Sequence, residues 1–249
     1  MVSRHSELIY GFHAVLALLR RQPDRVLRVL MQSGRADDRA LGIEELARSA
    51  GRIIERVEAR ALKAQLGDAA HQGVAAEVAP LPSWGEDDLL QAIQGTSDPL
   101  LLALDGVQDP HNLGACLRTA DACGALALIV PRDRAASLNA TARKTASGAA
   151  ESTPVVTVTN LSRTLHILKQ AGLWIVGADA RATQPASAID LTGPRVLVLG
   201  AEGRGLRELT RRHCDWLASL PSRGAVESLN VSVAAGMMLY EALRQRDAK

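Results

Sequence analysis

The chain has 249 residues, enough for one large domain or two smaller ones, and 47% of them are hydrophobic, enough for a buried core. Only 2% are aromatic, which disfavours an RNA-binding surface that stacks bases. The net charge is +2, from 29 basic and 27 acidic residues, so any contact with nucleic acid must come from local basic patches.

The cysteines and the apolar runs indicate the compartment. No apolar run reaches the roughly 18 residues that a membrane helix needs, so we expect no membrane association. The three cysteines, Cys116, Cys123 and Cys214, lack the spacing of a metal site, so we expect free thiols and no metal. Their odd number, together with the lack of a signal peptide, predicts a reducing cytoplasm.

Residues 1–79 alternate between helix and strand patterns, which predicts a small α/β domain. The predicted elements are a helix at 13–21, a strand at 26–31, a helix at 41–50, a strand at 52–57, a helix at 59–66 and a strand at 73–78. Arginines are frequent here, and either a solvated face or contact with RNA phosphates would explain them. They are Arg20, Arg21, Arg25, Arg28, Arg35, Arg39, Arg48, Arg52, Arg56 and Arg60.

Residues 80–97 are predicted to form a linker. The segment 80–88 is rich in proline, glycine and acid, and proline cannot continue a strand ladder. A short helix is predicted at 89–94.

Residues 98–249 alternate again, and their near-continuous apolar strands predict a mostly parallel sheet covered on both faces. Strands are predicted at 100–104, 126–130, 155–158, 173–178, 196–199 and 216–220. Helices are predicted at 113–123, 138–147 and 161–171, with a last helix that runs to about residue 244. Residues 179–193, which lie between the predicted strands at 173–178 and 196–199, are expected to form a loop.

A loop follows each of the last two strands. Both loops are predicted to lie at the carboxyl edge of the sheet, where open α/β sheets bind ligands. The first loop contains Gly200, Gly203 and Gly205, and glycine lets a ligand approach the backbone closely. A tight turn is one alternative. A dinucleotide site is another, but the order G-x-x-G-x-G differs from the G-x-G-x-x-G of that site.

Five polar residues at this edge are candidates for chemistry, and each has a structural alternative. Asn112 is well placed to cap a helix, as are Ser228 and Asn230. Arg118 falls within an apolar helix and therefore needs a partner, either a bound phosphate or carboxylate or a salt bridge within the protein. Glu202, between glycines, would fix the loop or hydrogen-bond a substrate hydroxyl.

Residues 144–151 are small and end a predicted helix. Close packing of that helix end explains them, but Lys144 could instead face RNA.

Three segments in order, NLGACLRTA, VLVLGAEGRGL and LPSRGAVESLNVSVAAG, resemble the three motifs of the SpoU branch of the SPOUT RNA 2'-O-ribose methyltransferases. The amino-terminal IYGFHAVLALL and HQGVAAEV resemble that family's ribosomal-protein-like RNA-binding domain, so the resemblance covers nearly the whole chain. LDGVQDPHNLGACLRTADACGA is particularly similar to members that methylate a guanosine ribose in the P loop of the 23S rRNA peptidyl-transferase centre.

The resemblance implies an α/β fold with an RNA-binding domain at 1–79 and a parallel-sheet methyltransferase domain with a deep trefoil knot at 98–249. It also implies S-adenosylmethionine bound in the knot, 23S rRNA as substrate, and a homodimer whose active site uses both subunits. By motif match, the catalytic set would be Asn112, Arg118, Glu202, Ser228 and Asn230. The methyl donor would be held by backbone around Gly200, Leu220 and Leu229. Ser222 stands where close relatives are expected to have methionine.

The family's reaction requires the ribose 2'-oxygen to attack the donor methyl group, and Arg118 is the family's candidate base. Because a free guanidinium keeps its proton to a pH above about 12, orienting the substrate and binding phosphate are the roles we expect for it. DNA lacks the 2'-hydroxyl and should not react. Alternative functions are methylation of another rRNA or tRNA site, a catalytically inactive RNA-binding assembly factor, and a nicotinamide oxidoreductase.

Overall fold

The computed structural model describes residues 6–67, 69, 71–79, 84–222, 224 and 228–248. The chain divides into two compact units, with the division between residues 82 and 83. Among the described residues, no helix is both long enough and apolar enough to cross a membrane.

The described part of the amino-terminal unit is a four-stranded mixed sheet with helices on both faces. Its elements are β1 (Glu7–Tyr10), α1 (Phe12–Arg21), β2 (Val26–Gln32), α2 (Asp38–Ser49), β3 (Ile53–Val57), α3 (Ala59–Leu66) and β4 (Val74–Val78). The strand order is β1-β4-β2-β3, with β4 antiparallel to both neighbours and β2 parallel to β3. The α/β prediction for this unit is confirmed, but β1 was not predicted.

Apolar side chains at helical spacing explain why two helices cover one face of this sheet. Val15 and Leu18 of α1 and Ile43 of α2 are fully buried in one cluster with strand residues. On the other face, Leu62 of α3 packs in a smaller cluster with Leu30.

At least five of the ten arginines noted in this unit are held by contacts within it. For example, Arg28 donates to Glu55 and Glu77, both at 2.6 Å, and Arg52 donates to Asp24 at 2.6 Å. The five are Arg25, Arg28, Arg35, Arg52 and Arg56. For these residues the structure favours a structural role over contact with phosphate.

The described part of the carboxyl-terminal unit is a six-stranded sheet between two layers of helices. Its strands are β5 (Leu100–Asp105), β6 (Ala127–Pro131), β7 (Val155–Val158), β8 (Trp174–Ala178), β9 (Arg195–Gly200) and β10 (Trp216–Ala218). Its helices are α4 (Glu86–Gln94), α5 (Pro110–Ala122), α6 (Ala140–Ala146), α7 (Leu161–Gln170), α8 (Glu208–His213) and α9 (Val231–Asp247). The strand order is β10-β8-β9-β5-β6-β7, and every pairing is parallel.

The predicted parallel sheet is confirmed, and its apolar runs explain it. Residues of the central strands β5 and β9 are buried on both faces, as parallel sheets require. One face packs against α5, α6 and α9, and the other packs against α4 and α7. Because all strands point the same way, the loops after β5, β8, β9 and β10 lie along one edge.

Several helix predictions need correction. The helix predicted from 113 begins at Pro110, because Asp109 is the residue whose side chain caps it. The helix predicted at 138–147 is the shorter Ala140–Ala146, and the one predicted at 89–94 begins at Glu86. The helix α8 was not predicted. It has only six residues, and its single buried residue is Thr210, so its sequence shows no apolar stripe.

Candidate active site at the carboxyl edge of the parallel sheet

Three predicted site residues from distant parts of the chain meet at this edge. The Oε1 atom of Glu202 accepts hydrogen bonds from Nδ2 of Asn112 at 3.2 Å and from Nδ2 of Asn230 at 2.5 Å. The same Asn230 nitrogen donates to Oδ1 of Asn112 at 3.0 Å. Glu202 also accepts from the backbone N–H of Val231 at 3.4 Å. We call Asn112, Glu202 and Asn230 the polar triad.

The caps of α5 and α9 explain how the two asparagines are positioned. Asn230 does cap α9, since its Oδ1 accepts from the backbone N–H of Ser232 at 2.9 Å. Its amide nitrogen remains directed at Glu202. The capping interpretation of Asn112 is wrong, because Asp109 accepts from the backbone N–H of His111 at 2.9 Å and caps α5. The Asn112 side chain therefore joins the polar triad.

The glycines of the loop after β9 let the chain fold back on itself. A Cβ on Gly200 would lie 2.0 Å from the carbonyl carbon of Gly205, so no other residue fits there without moving the loop. Gly203 and Gly205 have φ angles of +73° and +64°, a region that favours glycine. The backbone N–H of Gly205 donates to the carbonyl of Ala201 at 2.8 Å. This tight turn, one of the predicted alternatives, presents Glu202.

A cleft of about 540 Å³ lies beside this loop, and its size suits a small-molecule ligand. Gly200, Leu220 and Leu229, which were predicted to hold a donor, all line it, as does Ser228. Its apolar wall also includes Leu199, Ala218, Val231 and Ala234. Ser222, at the position where methionine was expected, lines the cleft too.

Arg118 lies apart from the polar triad. Its Nη1 atom donates to Oγ of Ser147 at 3.4 Å, and within the described ranges no hydrogen bond joins it to Asn112, Glu202 or Asn230. The expectation of a buried charge is wrong, because Arg118 is on the exposed side of α5. It is therefore available to a ligand from solvent.

The small residues around α6 pack closely, as one interpretation predicted. A Cβ on Gly114 of α5 would lie 2.4 Å from the carbonyl oxygen of Ala142 and 2.7 Å from Cβ of Thr145. The glycine in the first motif therefore brings α5 and α6 into direct contact.

The cysteines are unsuited to nucleophilic chemistry. Burial raises the pKa of Cys116 and of Cys214 to about 12, and it also raises the pKa of Cys123, so all three favour the unreactive thiol. No group of three or more potential metal-binding side chains is found in the described part of the chain.

Comparison with known proteins identifies the family. Residues 99–240 match the model of the SpoU rRNA Methylase family, and residues 8–84 match the model described as RNA 2'-O ribose methyltransferase substrate binding. The chain belongs to the SpoU rRNA methylase family.

Relatives within the SpoU family are similar along almost their whole length. The 23S rRNA (guanosine-2'-O-)-methyltransferase RlmB of Pseudomonas aeruginosa is 55% identical over 243 residues, covering 96% of this chain and 97% of that protein. RlmB of Escherichia coli K12 is 51% identical over 241 residues, which cover 97% of this chain and 99% of that protein. Among solved structures, the SpoU methyltransferase AviRb of Streptomyces viridochromogenes, in complex with AdoMet, has a TM-score of 0.79 and 26% identity, covering 98% of this chain and 92% of that one.

The sequence patterns did not single out one residue that shapes this SpoU site. Asp105, at the end of β5, is buried, and its Oδ2 atom accepts from the backbone N–H of Arg207 at 2.8 Å. Its Oδ1 atom lies 3.4 Å from Nε of the same arginine. Asp105 thus anchors the far end of the glycine loop. An acid directly after the apolar run LLLAL was the available signal.

A second missed feature is an ion pair on the wall of the cleft. Arg211 of α8 donates to Oδ2 of Asp179, which follows β8, and both residues line the cleft. The Oδ1 atom of Asp179 accepts from the backbone N–H of Arg181 at 2.8 Å. Asp179 was predicted only as the start of a loop, and α8 was not predicted.

Proposed function

We propose that this protein uses S-adenosylmethionine to methylate the 2'-oxygen of a guanosine ribose in 23S rRNA, in the P loop of the peptidyl-transferase centre. The observation that carries the proposal is the polar triad beside the cleft, in a chain 55% identical to a 23S rRNA guanosine-2'-O-methyltransferase. The triad offers amide donors and a carboxylate acceptor to a sugar, and the cleft offers space to a cofactor.

The lining of the cleft suits S-adenosylmethionine. Leucine, valine and alanine side chains form an apolar wall, and the close backbone of the glycine loop can supply N–H and C=O groups. Backbone around Gly200, Leu220 and Leu229 would hold the molecule. When bound, it supplies a methyl group on a sulfonium centre. AviRb, the related structure noted above, was solved with this cofactor.

The chain's own residues would position the acceptor. Glu202 can accept a hydrogen bond from a ribose hydroxyl, and Asn112 and Asn230 keep its carboxylate oriented. Ser228, which lines the cleft, would contribute a hydroxyl. Arg118 would bind a phosphate of the RNA and orient the hydroxyl. Holding the ribose hydroxyl and the methyl donor in near-attack geometry would account for much of the acceleration of methyl transfer.

The proposal includes a homodimer, and an apolar stripe on α9 supports it. Val233 and Tyr240 are 50% and 64% exposed, and Met237 lies between them on the same side of the helix. Exposed apolar stripes of this kind are typical of a face that packs against another chain. The active site would use both subunits.

We assign RNA-substrate binding to residues 1–79 and catalysis to residues 98–249, with 80–97 as the connection, whose helix α4 packs on the sheet of the second unit. The two family models, which match 8–84 and 99–240, support this division. We also propose a trefoil knot in the second part. Contacts between α9 and the chain that precedes β9 are compatible with it, since Gln245 donates to the carbonyl of Ile189 at 3.1 Å. Because its substrate is ribosomal RNA, the enzyme would act in the cytoplasm.

A test of the reaction compares two RNAs. One is an unmodified 23S rRNA fragment that contains the peptidyl-transferase P loop, and the other carries 2'-deoxyguanosine at the methylated position. Labelled S-adenosylmethionine should transfer its methyl group to the first RNA and leave the second unlabelled at that position. Equal labelling of both would show that the base, or another site, is the acceptor, and would reject 2'-O-methylation there.

A further inference from the structure

The contact between α5 and α6 brings basic and hydroxyl side chains of the two helices together outside the polar triad, and we call the surface formed by His111, Arg118, Lys144, Thr145 and Ser147 the basic groove. Gly114 lets the two helices touch, so side chains along their exposed sides face each other. Nδ1 of His111 lies 3.3 Å from Oγ1 of Thr145, and Arg118 reaches Ser147 at 3.4 Å. Lys144 is exposed and lies three residues before Ser147, whose backbone N–H donates to the Lys144 carbonyl at 3.2 Å, so the two residues are neighbours at the end of α6.

The two strong cations of this groove lack acidic partners. Within the part of the chain that the structure describes, Lys144 has no ion pair, and Arg118 contacts only the neutral Ser147 hydroxyl. The adjacent Arg143 behaves differently: it pairs with the buried Glu151 at 2.9 Å. The groove is therefore locally positive in a chain whose total charge is nearly balanced.

The surroundings of the groove favour an anionic partner over an apolar one. Among the described residues, none of the exposed large hydrophobic side chains lies on α5 or α6. The nearby acids are already engaged: Asp109 caps α5, and Asp121 accepts from Thr153 at 3.1 Å. Two cations with neighbouring hydroxyl groups are the donors that protein surfaces offer to nucleic-acid phosphates.

We propose that Lys144, with Arg118 and the Ser147 hydroxyl, binds a backbone phosphate of the RNA strand that carries the methylated ribose. This rests on the proposed function. Arg118 lies six residues beyond Asn112 on α5, about 9 Å along the helix axis, so the groove is close to the polar triad. The phosphate contact fixes the strand so that the adjacent ribose lies over Glu202. Lys144 is thus a positioning residue for the RNA.

The test uses Lys144→Gln, the charge-conserving Lys144→Arg, and Arg163→Gln as a matched control. Arg163 is an exposed cation on α7, which packs on the opposite face of the sheet. The affinity of each variant for the P-loop fragment of 23S rRNA is measured as a function of salt concentration. S-adenosylmethionine affinity and the unfolding temperature are measured in parallel.

We expect Lys144→Gln to reduce the slope of log affinity against log salt by about 0.7 to 0.9, the value for one lost phosphate contact. If the two affinities are equal at 1 M salt, this corresponds to an RNA complex about five- to eightfold weaker at 0.1 M salt. KM for RNA should rise while cofactor affinity and unfolding temperature stay unchanged, because Lys144 is exposed. Lys144→Arg should retain the slope of the natural chain, and so should Arg163→Gln.

An unchanged slope in Lys144→Gln would overturn the inference, and so would an equal loss in Arg163→Gln, which would indicate a general charge effect. Failure of the proposed function is distinguishable, because it appears as absence of methyl transfer by the natural chain. The binding slopes decide the role of Lys144 in either case.

Discussion

At the scale of single residues, Glu202 links the three motifs, because one carboxylate oxygen accepts from two side-chain amides and one backbone N–H. Hydrogen bonds to a charged group contribute about 1.5–3 kcal/mol, and neutral ones about 0.5–1.5 kcal/mol. We predict that Glu202→Gln lowers single-turnover methyl transfer about tenfold, and that Glu202→Ala lowers it about a hundredfold. The unfolding temperature should change little, since Glu202 is exposed. Methyl transfer by Glu202→Ala at the rate of the natural chain would show that the reaction does not need Glu202.

Arg118 gives a second prediction at this scale. Its guanidinium is exposed and, among the residues that the structure describes, is held only by the Ser147 hydroxyl, so its removal leaves no buried partner there unpaired. Arg118→Ala should abolish turnover while calorimetry shows normal S-adenosylmethionine binding. Arg118→Lys should recover only part of the activity, because lysine lacks the planar fork of donors. Near-normal turnover in Arg118→Ala would show that this role is wrong.

Of the five residues proposed for catalysis, the structure joins Asn112, Glu202 and Asn230 by hydrogen bonds and leaves Arg118 apart, and the sequence did not predict how each asparagine is held. Asparagine is both a good helix cap and a good amide donor, so residue type alone could not separate the two roles. In the structure Asn230 caps α9 and also donates to Glu202, whereas Asn112 donates to Glu202 and caps none of the described helices. Asp105 was missed because its importance depends on Arg207, which lies 102 residues away in the chain.

At the scale of elements, the glycine of the first motif sets the contact between α5 and α6. A Cβ at Gly114 would meet backbone at 2.4 Å, and backbone cannot move aside without shifting a helix. We predict that Gly114→Ala destabilises the protein by about 1–3 kcal/mol, measured by denaturant unfolding. Gly42→Ala is the control: it lies inside α2 with nothing within 4 Å, and it should stabilise by about 0.5–1 kcal/mol. A free energy of unfolding in Gly114→Ala equal to that of the natural chain would show that α5 and α6 are not in close contact at this glycine.

Long apolar runs made the strands of the parallel sheet predictable, because both faces of such strands are buried. Short elements were not predictable in the same way. The strand β1 has only four residues and one buried position, Ile9, so its pattern is too short to recognise. The start of α5 was misplaced because none of its first three residues, Pro110-His111-Asn112, is buried and its first buried residue is Leu113.

At the scale of the whole molecule, the apolar stripe of α9 predicts the oligomeric state. Val233→Lys and Tyr240→Lys should each weaken the proposed homodimer at least about tenfold, because each would place a charge in its apolar interface. Sedimentation velocity over a concentration series would measure this. Leu209→Lys, at a 64% exposed leucine on α8, is the control and should leave the dimer intact. A natural chain that sediments as a monomer at micromolar concentration would contradict the dimer.

The three-layered α/β architecture of the second unit followed from its sequence, whereas the proposed knot cannot follow from local patterns. Periodicity reports which residues are buried, but threading depends on the order in which distant segments pass each other. The carboxyl-terminal helix shows this dependence. Arg246 donates to the backbone carbonyl of Asp98 at 2.8 Å, a contact across 148 residues that no local pattern encodes.

The central claim is tested most directly by mapping the methylated nucleotide. Full-length 23S rRNA lacking its modifications is incubated with the protein and labelled S-adenosylmethionine, and the product is analysed by nuclease digestion and mass spectrometry. We predict a single 2'-O-methylguanosine in the peptidyl-transferase P loop. Label elsewhere in rRNA, or only in tRNA, would reject this target while keeping the reaction. No transfer to any RNA, despite cofactor binding, would contradict the enzyme function itself and favour an RNA-binding assembly factor.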